Sequence, residues 1–246
     1  MPDTTHRLYD PTFVSGLFDE MAATYGVVNY ISSFGFCKRW RLQCVDLAGI
    51  EPGHTVYDLM SGMGECWPRI DTHLQGCGAL VGLDISPVMC SRAKSQAERV
   101  DVPTSVVRDD VLTNTLPTAS ADRVVSAFGL KTFSPAQRET LAREVARVLK
   151  PGGRFSFLEI SVPPSALLRI PYLLYLRAVI PHIGHLFLGN PANYRLLGIY
   201  TTRFGTSRSF YQKLAAQGLK VRYQRFFFGC ATGVTGYKPD PTPAAA

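Results

Sequence analysis

Residues 147–161, Arg-Val-Leu-Lys-Pro-Gly-Gly-Arg-Phe-Ser-Phe-Leu-Glu-Ile-Ser, constrain the fold more than any other stretch of this chain. Leu141, Val145, Val148 and Leu149 recur at helical spacing, so a helix runs up to this point. Pro151-Gly152-Gly153 then predicts a turn, because glycine supplies the backbone freedom a reversal needs. Arg154 to Ile160 is aromatic-rich and predicts a strand. Upstream, Thr55 to Met60 reads as a short buried strand that Ser61-Gly62-Met63-Gly64 turns into a helix. Ala79 to Asp84 and Ala121 to Phe128 predict further strands, Val106-Val107 another, and Pro87 to Glu98 and Pro135 to Leu149 predict helices. That alternation predicts a doubly wound, mostly parallel seven-stranded α/β sheet covered on both faces. Lys220 to Phe228 and Gly233 to Lys238 complete it, as a hairpin on the sheet edge.

Around this core the chain divides into segments. Residues 1–50 predict an N-terminal helical segment, with an amphipathic helix over 11–25 and another from Lys38 to Ala48. Residues 51–160 form the α/β core. Residues 161–204 break the rhythm with prolines at 163, 164, 171 and 181 and predict a helical cap insertion. Residues 205–239 supply the last strands, and 240–246 a loose tail.

Composition excludes several classes. With 46% apolar and 18% charged residues the chain is globular rather than disordered or fibrous. Its six cysteines lack metal-ligand spacing and read as free thiols, so no metal is expected. No secretion signal precedes the first helix, and no charge-free run is long enough to span a bilayer, which predicts a cytoplasmic protein. The net charge of +7 is uneven: residues 160–239 carry ten Lys or Arg and no acid. The same region holds Leu173, Leu174, Leu176 and Phe226-Phe227-Phe228, so an anionic membrane surface is a candidate partner. The alternative is that these side chains pack in the core beneath ordinary solvated arginines. No recognition motif accompanies the charge, and nucleic acid is not expected as a partner.

The glycine turn and the strand ends carry the chemistry. Gly62 and Gly64 let a backbone approach a ligand at a helix N-terminus, while Asp58 beside them suits a cationic group rather than a phosphate. Asp84 ends the next strand, roughly twenty residues on, where a carboxylate accepts hydrogen bonds from ribose hydroxyls. The place of a third glycine in a dinucleotide turn is taken by Trp67.

Tyr9-Asp10-Pro11, Leu17-Phe18-Asp19, Ser33-Phe34-Gly35, Trp40, Ala127-Phe128-Gly129-Leu130, Lys150-Pro151-Gly152-Gly153, Leu158-Glu159, Tyr194-Arg195 and Gly236-Tyr237-Lys238-Pro239 occur in this order. The chain resembles the ubiquinone/menaquinone C-methyltransferase family over roughly residues 9–239. The resemblance implies a Rossmann-like fold and S-adenosyl-L-methionine as cofactor. It puts the cofactor's amine near Asp58, its ribose on Asp84 and its adenine amine on Asp110. Tyr25, Gly62, Met63, Gly64 and Ala127 then line the cofactor. The pattern departs from the family at Met63, Cys37, Lys131-Thr132, Ile199 and Val234-Thr235.

The reaction this implies is methyl transfer to an apolar, lipid-soluble acceptor, with quinone-type C-methylation the nearest activity. Lys131, just past a strand end, is the expected substrate cation; Tyr200 and His182, with His185, are acid–base candidates in the cap. Each has an alternative as a packed or surface residue. Two other functions keep the cofactor without methylating: a cyclase-like enzyme, or an inactive regulatory homologue.

Overall fold

The computed structural model describes residues 7–187 and 190–240, with the backbone alone at Tyr25. The expected loose tail, from 241 onward, lies outside the described residues. Seven strands form one sheet: β1 (Thr55–Leu59), β2 (Ala79–Asp84), β3 (Thr104–Arg108), β4 (Ala121–Ala127), β5 (Leu149–Ile160), β6 (Lys220–Phe226) and β7 (Ala231–Tyr237). Their order is β3-β2-β1-β4-β5-β7-β6. The first five run parallel, while β7 is antiparallel to both β5 and β6. The fold is thus the doubly wound, mostly parallel one that the alternation predicts, with the hairpin on its edge.

In chain order the helices are α1 (Pro11–Met21), α2 (Tyr25–Ser32), α3 (Phe36–Asp46), α4 (Trp67–Leu74), α5 (Pro87–Ala97), α6 (Pro135–Val148), α7 (Ala166–Leu174), α8 (Ile180–Leu186), α9 (Pro191–Phe204) and α10 (Arg208–Ala216). The helix expected over 11–25 therefore ends at Met21, and Tyr25 opens the next one. Strand alternation divides the core. Tyr57 and Leu59 of β1 pack with Leu141 and Val145 of α6 and Phe210 of α10. Val56, on the opposite face, packs with Trp67 and Ile70 of α4 and Ala93 of α5. Helix starts are fixed locally. Ser134 accepts from the Gln137 N–H at 3.2 Å while its own N–H donates to the Gln137 side chain at 2.9 Å, a capping box that opens α6.

One expectation is corrected. Pro151-Gly152-Gly153 does not separate helix from strand, because β5 already begins at Leu149, paired with Ala121. The ladder slips between Ala121 and Arg123, and Gly152 takes φ +73° while its N–H reaches the Lys238 carbonyl at 2.8 Å. The glycines thus make a bulge inside the strand. In the cap, α7, a π-helical turn at Tyr175–Val179 and α8 join into one run, Ala166–Leu186, long and apolar enough to cross a membrane by length and composition alone. It is fastened to the body instead. Tyr172 Oη donates to the Cys230 carbonyl at 3.2 Å, Tyr175 Oη donates to the Ser32 carbonyl at 2.7 Å, and Leu176 is buried.

Candidate functional site

The C-terminal ends of the parallel strands open into a cleft. Such sheets bind ligands at this edge, where strand order reverses. Here the reversal lies between β1 and β4. At the end of β1, Gly62 takes φ +57° and its N–H donates to Asp84 Oδ2 at 2.8 Å. Asp84 Oδ1 accepts the Ser86 N–H at 2.9 Å. Burial pushes the Asp84 carboxyl above its ordinary range, although these backbone donors oppose the shift. Across the cleft, Asp110 accepts the Leu112 N–H at 2.9 Å, which fixes the loop after β3. Ser61 also lines the cleft, and its buried hydroxyl has no partner among the described residues.

Gly62, Asp84, Asp110 and Ala127 line this cleft, as the sequence suggests. Asp58 does not. It is buried and accepts the Trp67 indole N–H at 3.0 Å, while burial, only partly offset by that bond, pushes its carboxyl up to about 8. Gly64 serves the same indole: a Cβ there would lie 2.6 Å from the Trp67 ring. The second glycine of the turn thus makes room for Trp67 rather than for a ligand. Met63 sits behind the turn, packed with the cluster of Met21, Tyr194 and Tyr200. The Tyr25 side chain lies outside the described residues.

The sequence reading missed Arg41 and Glu65. Both line the cleft and pair at 3.2 Å, with Glu65 Oε2 also accepting the Met63 N–H at 3.2 Å. Helical spacing from Trp40 was the available signal: that indole is buried, so its neighbour on the next face of α3 turns another way. Phe128 was missed as well. It has φ +73°, uncommon for a side chain of its size, and the Arg41 guanidinium lies 5.2 Å from its ring centroid.

Phe128 is also the residue shared with a second cavity, between α2, α3 and the cap. Its wall is mostly aromatic and aliphatic, with Phe36, Trp40, Leu168, Tyr172 and Leu176 among the contributors. Lys131 lies here, in the wall of the second cavity rather than of the cleft. Its ammonium donates to Glu159 Oε1 at 2.8 Å and to the Phe128 carbonyl at 3.0 Å. Glu159 is fully buried and also accepts the Lys131 and Ile160 backbone N–H groups at 3.1 and 2.8 Å. Cys37 shares the wall, its thiol pushed up by burial.

The remaining cap candidates are corrected. Tyr200 is fully buried, donates its hydroxyl to the Leu8 carbonyl and lines neither cavity. Burial pushes its phenol upward, as expected of a residue that ties the cap to the N-terminal segment. His182 and His185 are exposed on α8 and line neither cavity.

With a strand-end carboxylate, an unpartnered hydroxyl and an acidic loop around one cleft, comparison with known proteins becomes decisive. Residues 6–238 match the ubiE/COQ5 methyltransferase family. The chain belongs to the ubiE/COQ5 methyltransferase family. It is 33% identical over 223 residues to the demethylmenaquinone methyltransferase of Thermus thermophilus, covering 91% of this chain and all of that one. It is 31% identical to that of Deinococcus radiodurans, covering 89% of each. Among solved structures, the putative methyltransferase bound to the Haloferax volcanii Trm112 activator matches with TM-score 0.62 and 19% identity, over 90% of this chain and 97% of that one. Human N-acetylserotonin methyltransferase, in complex with its cofactor, matches with TM-score 0.59 and 17% identity, over 87% of this chain and 55% of that one. At such identities the structural matches speak for the fold alone. This member of the family is a methyltransferase that uses S-adenosylmethionine.

The cleft fits that cofactor by its chemistry. Carboxylates at Asp84 and Asp110 suit hydroxyl and amine donors, the Arg41 guanidinium suits a carboxylate, and the orphaned Ser61 hydroxyl has a partner to gain.

Proposed function

We propose that the acceptor is an apolar, lipid-soluble phenol or quinol that occupies the second cavity, and that quinone-type C-methylation is the nearest description of the reaction. The observation that carries this reading is that the two cavities share Phe128 in their walls, the acceptor side being mostly apolar and holding a buried cation at Lys131. In this reading Asp84 and Asp110 hold the cofactor's ribose and adenine, and Arg41 its carboxylate. Bound there, S-adenosylmethionine supplies a methyl group already activated on a sulfonium.

The chain's own task is orientation, exclusion of water and activation of the acceptor. A ring carbon becomes nucleophilic when an adjacent phenol loses its proton, and a nearby cation lowers that phenol's pKa. Lys131 has three N–H donors, two of them committed to Glu159 and the Phe128 carbonyl, and the third serves the acceptor oxygen. Glu159 fixes the ammonium in place from below. Apolar walls raise the strength of that contact by keeping water away. Peripheral contact with an anionic membrane belongs to the same reading, since such an acceptor partitions into lipid.

The test is kinetic. Lys131→Met should lower turnover of a short-chain demethylmenaquinol by about 10²–10³, the scale of one electrostatic contact in a dry site. Cofactor affinity by calorimetry should hardly change. Asp84→Ala should do the reverse, weakening cofactor binding by about 1.5–3 kcal/mol. Lys131→Met leaves Glu159 buried and unpaired, at a cost of about 3–5 kcal/mol. The double variant with Glu159→Gln should therefore regain stability without regaining turnover. A stable double variant that turns over like the wild type would remove Lys131 from the chemistry.

A further inference from the structure

The mouth of the second cavity is ringed by side chains that a soluble protein has little reason to expose. Phe34 and Phe227 line the cavity and are 82% and 49% exposed. Phe34 stacks on Tyr175 at 6.4 Å, and Phe227 packs between Phe36 and Phe228, at 4.6 and 5.5 Å. Helix α7 adds a second contribution. Leu168 and Tyr172 turn inward to the cavity, while Leu167, Ile170 and Leu174, spaced to share the other face, are 89%, 69% and 65% exposed. Phe228, at 78% exposure, takes φ +54° in the tight turn between β6 and β7, which projects the aromatic pair.

Charge accompanies this rim from three elements. Lys38 and Arg39 follow Phe34 on α3, Arg169 and Arg177 flank the α7 face, and Arg225 precedes Phe227 on β6. All five are exposed, and none forms an ion pair among the described residues. Arg169, Arg177 and Arg225 belong to the stretch from Ile160 to Pro239, which contains no carboxylate side chain. Apolar side chains ringed by unopposed cations complement the boundary of an anionic bilayer, where the first enter the acyl region and the second meet lipid phosphates. The cap helix is held to the body by hydrogen bonds from Tyr172 and Tyr175.

We propose that this rim is a membrane-docking face: the Leu167–Ile170–Leu174 stripe and the Phe34 and Phe227–Phe228 tips insert into an anionic bilayer, so that an apolar acceptor passes from lipid into the second cavity without crossing water. The delivery step rests on the acceptor reading above; the docking does not.

Flotation with phosphatidylcholine vesicles, with and without phosphatidylglycerol, tests it on the full chain. Wild type should bind the anionic vesicles, bind the neutral ones far less, and be released by salt as the Debye length shrinks to about 3 Å at 1 M. The triple variant Leu167→Glu, Ile170→Glu, Leu174→Glu alters exposed side chains outside both cavity walls, so circular dichroism should show it folded. It should lose vesicle partitioning at least tenfold. Turnover of a dissolved short-chain demethylmenaquinol should persist, while that of a long-chain one embedded in vesicles collapses. Equal partitioning of variant and wild type, or no vesicle binding by either, would overturn the proposal. So would a wild-type dimer that the variant breaks, since the face would then join two copies. Vesicle binding without turnover of either acceptor would leave the docking standing and sink the acceptor reading instead.

Discussion

Asp58 and Asp84 end neighbouring parallel strands, yet the fold gives them different work. Asp84 accepts two backbone N–H groups at the cleft. Asp58 is sealed beneath the turn, where it accepts the Trp67 indole N–H, and burial pushes its carboxyl up to about 8. An acid raised in the folded state binds more protons there than in the unfolded chain, where its pKa is about 3.9. Its contribution to stability is therefore fully present below about pH 4 and is lost as pH rises through about 8. Asp46 and Asp122 are held low by cations and titrate below this window. Between pH 5 and 8 the stability of the unliganded protein should fall, Asp58 contributing up to about 1.4 kcal/mol per pH unit. Asp58→Asn keeps an acceptor for Trp67 and should flatten that slope in urea titrations. An unchanged slope would show that Asp58 is ionised in the folded protein.

At the scale of elements, the packing of α4 on β2 depends on one large residue and two missing side chains. A Cβ at Gly64 would meet the Trp67 ring at 2.6 Å, and one at Gly82 at 2.2 Å. Gly82 lies in a strand without a positive φ, so alanine there adds collision without backbone strain. Gly82→Ala should lower stability by about 1–3 kcal/mol, the cost of overpacking a full core. Combining it with Trp67→Leu should cost less than the sum of the two single changes. Additive losses would mean that the indole is not what Gly82 accommodates. The alternation of strands and helices was legible because it is written in local periodicity. The role of the glycines was not, because Gly64 and Gly82 are distant in sequence and meet only through Trp67. The bulge at Gly152 was hidden for the same reason: its partner is Lys238, on the far side of the cap.

Across the whole molecule, two cavities share Phe128 in their walls, one at the strand ends that carries Asp84, Asp110, Glu65 and Arg41, the other made by helices added around them. The first was largely readable, since Gly62, Asp84 and Asp110 sit at strand ends that periodicity locates. The second was not. Lys131 pairs with Glu159 on the next strand, and Tyr200 bonds to Leu8 at the other end of the chain. Neither contact has a local signal. Arg41 reaches the cleft because α3 packs over β4 and β5. Under the proposed function the methyl group passes from the cleft to a lipid-soluble acceptor in the second cavity. This is tested most directly by incubating the protein with S-adenosylmethionine deuterated at the methyl group and a lipid extract, then analysing both phases by mass spectrometry. A deuteromethylated product should appear in the organic phase, with S-adenosylhomocysteine released in equal amount. Label confined to water-soluble products, or no S-adenosylhomocysteine at all, would contradict it.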